Sequence, residues 1–292
     1  IIYNLFVVVD IEKKWDLVIT PNRRWLELNF SEIYEYRDLI WLFVKRDFTT
    51  FYKQTILGPL WFFIQPLIST IVFTIIFNKI GNISTNEVPP VLFYMSGIIA
   101  WNYFSTCLSS TASTFLDNVG IFGKVYFPRI VIPLSKVISG LAKFFVQMIM
   151  FFGFYLYYYL KGNNNIDPSL STLILIPIMI LQMAVLGQGI GMVISSLTTK
   201  YRDLSFLVTF GTQLLMYASP IVYPLSIVPE NYKKIILANP MTPIIEGFRQ
   251  AFIGKGSLEF NMLLYSIFFS IIIFLVGLII FNRVEKTFID TI

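Results

Sequence analysis

The chain has 292 residues, of which 56% are hydrophobic and only 13% charged, with a formal net charge of +5 and a mean hydropathy of +0.71. A charged share about half the globular norm excludes a soluble enzyme and points to an all-α integral membrane protein. There is no histidine and Cys107 is the only cysteine, which excludes an intrachain disulfide and a zinc cluster and removes the usual general base.

Residues 1–31 read as a cytoplasmic lead. Their apolar run is too short to span and lacks a leading basic region, so no cleavable signal peptide is expected. Residues 32–56 form an amphipathic interface helix. Ile33, Tyr36, Ile40, Phe43, Val44, Phe48 and Phe51 share one face, and Glu35, Asp38, Lys45, Arg46, Thr49 and Lys53 the other, a helical period with an apolar stripe to bury. Arg37 and Asp47 near the apolar side and Leu42 on the polar side break the pattern. Gly58-Pro59 ends this helix, and Pro59 suits the first turn of the next.

Residues 57–292 carry six apolar runs, at about 60–77, 91–116, 137–160, 170–197, 204–228 and 260–282, each near the length a membrane crossing needs. The second ends in "STCLSSTASTF", dense in small hydroxyl residues that fit either close helix packing or a polar strip facing a pathway. The broken segment 117–136 holds Gly120, Gly123, Pro128 and Pro133 with three basic residues and is too interrupted to span. Lys143 lies near the start of the third run, placed to snorkel toward the interface. "GQGIG" at 187–191 lacks a phosphate-loop context and reads as helix packing. Pro220 and Pro224 interrupt the fifth run, with a helix break expected near Ser219. Residues 229–259 predict short helices, re-entrant or on the surface, before the last span, with Thr242 and Pro243 opening one of them.

Six spans place both ends on one side. That side carries ten near-membrane Lys and Arg residues against six on the other, so both termini are expected in the cytoplasm. The same bias accounts for the net positive charge without nucleic acid. No glycine-rich loop ending in Lys-Ser/Thr is present, so the chain is not expected to bind ATP. No Asp or Glu lies inside a span, which argues against a proton-coupled transporter. The acidic residues Asp117, Asp167, Asp203 and Glu246 are scattered, which argues against a membrane-embedded transferase on polyprenyl-linked sugars.

Four stretches resemble one family: "YRDLIWLFVKRDFTTFYKQTILGPLWFFIQP" at 36–66, "KVYFPRIVIPLS" at 124–135, "NPMTPIIEGFR" at 239–249 and "RVEKTFIDTI" at 283–292. They are similar to the permease subunits of ABC-2 transporters that export bacterial polysaccharides, in particular O-antigen exporters, with capsule and teichoic-acid permeases nearby. The resemblance covers nearly all of residues 31–292. It implies a homodimer in the bacterial inner membrane with two cytoplasmic ATPase subunits, which bind the ATP and Mg²⁺. It also implies a channel for a polyprenyl-diphosphate-linked glycan bounded by membrane lipid. By position it assigns coupling to the ATPase to Tyr36, Arg37, Phe122, Lys124, Tyr126, Phe127, Pro128 and Arg129, with Arg202 and Asp203 as a second contact. Candidate glycan-pathway residues are Trp61, Phe62, Phe63, Tyr94, Trp101, Tyr103 and Phe104, whose ring faces can cover the C–H faces of sugars. Arg46, Lys53 and Arg129 are candidates for receiving the lipid diphosphate. A drug exporter would share the same fold and coupling segments.

Overall fold

The computed structural model describes residues 30–53, 56–125, 127–162 and 166–287. The lead up to residue 29, Tyr126 and the tail beyond residue 287 lie outside the described residues. Among the described residues all regular structure is helical. The order is α1 Phe30–Glu35, α2 Arg37–Lys53, α3 Trp61–Phe73, α4 Pro90–Ala112, α5 Thr114–Asp117, α6 Val119–Phe122, α7 Val131–Leu160, α8 Leu170–Leu173, α9 Ile176–Thr198, α10 Leu204–Tyr217, α11 Glu230–Ala238, α12 Met241–Ile253 and α13 Phe260–Thr287. Five stretches are long and apolar enough to cross a membrane: Gly58–Ile80, Pro90–Ala112, Val131–Leu160, Ile176–Thr198 and Phe260–Glu285.

The amphipathic segment divides at Tyr36 into α1 and α2. The stripe read from its sequence is buried against protein: Ile40, Phe43 and Val44 pack with Phe122, Phe127 and the start of α7, flanked by Ile33, Tyr36 and Phe48. Asp47, which broke the stripe, is explained by α7. Its carboxylate lies 2.8 Å from the Lys136 ammonium and 3.2 Å from the Arg46 guanidinium. Arg37 and Leu42 are exposed, Arg37 beside the Tyr34 ring at 4.7 Å. At Gly58 the backbone turns with φ +48°, a conformation that glycine adopts without steric cost. Pro59 then lies in the short helical turn Gly58–Leu60 that leads into α3.

The fifth apolar run is shorter as a helix than its composition allows. α10 has 14 residues, about 21 Å at 1.5 Å per residue, and stops at Tyr217 before Pro220 and Pro224. Neither proline can donate a backbone hydrogen bond to continue the helix. α7 begins at Val131, six residues earlier than its hydropathy indicates, because Pro133 lies in the first turn, where it is tolerated.

α4 occupies the centre, packed on α9, α7, α12, α3 and α10, while α9 also packs on α13. The glycines of 187–191 set these distances. A Cβ at Gly191 would lie 2.6 Å from Thr111 Cβ, and one at Gly187 would lie 2.8 Å from Cys107 Cβ, both on α4. A Cβ at Gly189 would meet the Phe274 backbone of α13 at 2.7 Å, and one at Gly277 would meet the Gly189 carbonyl oxygen at 2.4 Å. Two faces of α9 thus touch two neighbouring backbones, the close approach that small residues permit in membranes.

Gly191→Leu should therefore separate α9 from α4. Overpacking of this kind costs roughly 1–3 kcal/mol. Thermal unfolding in detergent should show a clear fall for Gly191→Leu and almost none for Gly211→Leu, because a Cβ at Gly211 meets nothing within 4 Å.

Candidate functional site

The outward surface of α4 is the reverse of what lipid requires. From Leu92 to Ala112 the residues that are not buried are Asn102, Ser105, Thr106, Ser109 and Ser110. On a 3.6-residue period, Asn102, Ser105, Thr106 and Ser109 fall on one narrow face. The apolar residues of the same helix point inward. A membrane helix that met lipid on this side would carry apolar side chains there. The Ser109 hydroxyl donates to the Ser105 carbonyl oxygen at 2.6 Å, a local bond that leaves its remaining hydrogen-bonding capacity to the surface. The "STCLSSTASTF" stretch therefore serves both readings of its sequence. Cys107, Leu108 and Thr111 seat on the glycines of α9, and the hydroxyls between them form the outward strip.

Polar groups on other helices continue this surface. Gln65 on α3 is exposed, and Lys143 and Gln147 of α7 join Asn102, Ser105 and Thr106 around one cavity. Asn102 Nδ2 lies 3.5 Å from Gln147 Oε1. On α10, which touches α4, Thr209, Gln213 and Tyr217 are exposed at four-residue spacing.

The candidate pathway aromatics are placed differently from the strip. Tyr94, Trp101, Tyr103 and Phe104 are buried within the chain, and so is Phe62. Their rings fill the spaces between helices: Tyr103 packs on Phe144 of α7 at 5.3 Å, and Tyr94 on Phe73 at 6.2 Å. Phe63 is half-buried, and Trp61 is the one of the seven with an exposed ring. Hydropathy alone gave no means of separating ring faces that fill a core from those that line a surface.

The candidate coupling residues gather at one end of the bundle. Phe122 and Phe127 join Phe43, Phe115 and Phe281 in a single aromatic cluster. Phe43 lies 5.9 Å from Phe127, and Phe115 stacks on Phe281 of α13 at 4.6 Å. Pro128 is buried, while Gly123, Lys124 and Val125 form an exposed tip. Tyr36 is half-buried, and Arg37, Arg202 and Asp203 are exposed.

Arg129 is buried rather than open to an arriving anion. Its guanidinium donates to the Glu285 carbonyl oxygen and lies 5.2 Å from the Phe122 ring. It fastens the segment to the last turns of α13. Arg46 lies over Phe43 at 4.7 Å and pairs with Asp47, while Lys53 is exposed.

The opposite end is closed by α12, which is buried along nearly its whole length. Arg249, at 1% exposure, pairs with Glu246 at 2.8 Å and donates to the Ile221 carbonyl oxygen at 2.8 Å. It also lies 3.7 Å from the Phe93 ring centre. Glu246 accepts from the Ser257 backbone N–H and hydroxyl. Gly254 ends α12 with φ +79°, and a Cβ there would strike the Asp167 carbonyl oxygen. The pair ties α12 to α4 and to the chain after α10. Nothing local in the sequence reveals that α4 and residue 221 close over Arg249.

A family model described as ABC-2 type transporter matches residues 38–253. The O-antigen export system permease protein RfbA of Klebsiella pneumoniae is 31% identical over 87% of this chain and 94% of its own length. A protein of the same name from Myxococcus xanthus is 26% identical over 76% and 82%. The polysialic acid transport protein KpsM of Escherichia coli is 21% identical over 84% and 93%.

The buried pair yields a stability prediction. Glu246→Ala leaves a buried guanidinium without its carboxylate and should cost roughly 3–5 kcal/mol. The double variant Glu246→Met, Arg249→Met should recover much of that loss. Unfolding of the single and double variants in detergent checks both parts.

Proposed function

The chain belongs to the ABC-2 type transporter family, and on that footing we propose that it is the channel-forming permease of an ATP-driven exporter of polyprenyl-diphosphate-linked, O-antigen-type polysaccharide. Two copies and two ATPase subunits make up the assembly in the bacterial inner membrane. The permease itself carries out no covalent chemistry, and the partner subunits bind ATP and Mg²⁺. The names of its relatives, O-antigen export permeases and a polysialic acid transport protein, support a polysaccharide cargo.

The observation that carries the reading is the polar outward face of α4. A row of hydroxyls and amides at membrane depth suits a hydrated passage completed by a second copy, and it exchanges hydrogen bonds with sugar hydroxyls. We assign the passage to this strip, Gln65 and the polar face of α10, with Trp61 as its aromatic entry. Phe62, Phe63, Tyr94, Trp101, Tyr103 and Phe104 act behind it by holding the helices that form the wall.

Six crossings fit this arrangement. Phe115 in α5, just past the end of α4, Met192 late in α9 and Phe281 late in α13 pack in the cluster that holds α2. Arg249 lies over Phe93 near the other end of α4 and bonds the Ile221 carbonyl there. The chain between Thr198 and Ile221 therefore has to pass from one end to the other, and α10 is the segment available. With α1 and the last turns of α13 at the α2 end, the positive-inside bias puts that end in the cytoplasm.

Coupling then runs through residues 119–133 and α2. Lys124 and Val125 at the exposed tip, with Tyr126, meet the ATPase. Phe122, Phe127, Pro128 and Arg129 carry its displacement into α13 and α7. Tyr36, Arg37, Arg202 and Asp203 flank the contact.

Co-purification with the ATPase subunit and the mass of the intact complex test this reading. A two-plus-two complex is expected, and a stable monomer that retains no ATPase contradicts it. Val125→Asp together with Lys124→Glu should remove the ATPase without unfolding the permease, read as loss of the ATPase from an otherwise unchanged elution profile. Ser109→Leu should leave the complex and its ATP hydrolysis intact and reduce polysaccharide export at least several-fold, measured as surface polysaccharide in cells.

A further inference from the structure

Among the described residues, Lys143 is the only Lys, Arg, Asp or Glu more than two turns from an end of the five long helices. It stands seven residues beyond Lys136, about 10 Å deeper along α7 at 1.5 Å per residue, on the same helical face. Lys136 is held by Asp47 at the surface helix. Lys143 lines a cavity of about 270 Å³ between α3, α4 and α7, whose wall includes Trp61, Gln65, Asn102, Ser105 and Gln147. Gly140, about one turn before Lys143, is part of the same wall. The Phe62 ring lies 5.3 Å from the ammonium.

An ionisable group at this depth marks a ligand or ion site more often than a structural contact. Lysine and the surrounding amides and hydroxyls are hydrogen-bond donors, and the cavity has no carboxylate in its wall. That donor set recognises an anion rich in acceptor oxygens. The volume lies at the lower limit of small-molecule pockets, enough for a headgroup and too small for a glycan chain. The rim is the exposed pair Trp61 and Gln65 on α3. From there Ile68 and Val72 continue along the same face of α3, and Ile75 follows in the helical turn beyond it, all exposed. An apolar track leading out of an anion-binding cavity fits a lipid tail better than a free anion.

We propose that this cavity binds the phosphoryl group of a membrane lipid, with Lys143 as the charged contact and the exposed face of α3 as the bed for its tail. The assignment of that lipid as the polyprenyl diphosphate of the cargo rests on the function proposed above; the phosphoryl-lipid site itself does not. It is a site separate from the surface candidates Arg46, Lys53 and Arg129.

The test uses the full chain in detergent, with farnesyl diphosphate as the probe and native mass spectrometry as the readout. The wild-type chain should retain farnesyl diphosphate, and Lys143→Arg should retain it equally. Lys143→Gln should weaken retention about ten-fold or more, equivalent to about 1.4 kcal/mol. Ser105→Leu, which fills the cavity and keeps the charge, should do the same and decides the matter if Lys143→Gln does not fold. Equal retention by folded Lys143→Gln and Ser105→Leu overturns the proposal. So does displacement by inorganic diphosphate at equal concentration, which would mean that the cavity reads a soluble anion. No ATPase or export enters the assay, so failure of the export reading would leave its outcome unaffected.

Discussion

A polar side chain on a membrane-spanning helix has to meet water, a partner group or another protein surface, because hydrocarbon offers it nothing to bond. α4 carries a row of such side chains: Ser109 is exposed, and Asn102, Ser105 and Thr106 line the cavity against α3 and α7. The rest of the structure is arranged about that fact. The apolar residues of α4 turn inward, and Cys107, Leu108 and Thr111 sit on the glycines of α9. α9 in turn is pressed to α13 through Gly189 and Gly277. The glycine contacts hold α4 at a fixed rotation, so the hydroxyl strip cannot turn inward to be satisfied by the core. The strip is thereby committed to an aqueous or protein neighbour, which is what a passage formed between two copies provides.

The two ends of the bundle are built for different tasks. At the α2 end, an aromatic cluster joins the surface helix, the 119–133 segment and the end of α13. The Asp47–Lys136 pair pins α2 to α7. A push on the exposed Lys124–Val125 tip would reach several spans through rigid rings rather than flexible loops. At the far end, Arg249 and Glu246 close a buried network that ties α12 to α4 and to the chain after α10. In this account the first end receives motion and the second resists it, so the spans between them shear against one another. Lys143 lies between the two, beside the strip and about two turns inside the surface helix.

Much of this was legible in the sequence. The apolar runs gave the five long spans, and the stripe of α2 gave its buried face because a 3.6 period has one natural partner surface. Gly58-Pro59 gave the hinge, and Pro220 and Pro224 gave the break after α10. The exposed strip was visible as a hydroxyl-rich stretch, but its two roles depend on rotation about the helix axis relative to α9. The burial of Tyr94, Trp101, Tyr103 and Phe104 was not legible, since aromatic rings fill cores and line passages with the same composition. The burial of Arg129 and Arg249 was not legible either, because their partners, Glu285 and Ile221, are far away in sequence. Asp47 looked like a defect for the same reason, until α7 supplied Lys136.

The most direct test of the account is solvent access to α4. Cys107 is fully buried and is the only native cysteine, so single cysteines introduced at Ser105, Ser109 and Ile271 can be labelled in the assembled complex with a membrane-impermeant, water-soluble thiol reagent. The account predicts fast labelling at Ser105 and Ser109 and very little at Ile271, an exposed apolar position on α13. Slow labelling at both serines, with the wild-type chain unreactive and the complex intact, would mean that α4 does not face water and would contradict the central claim.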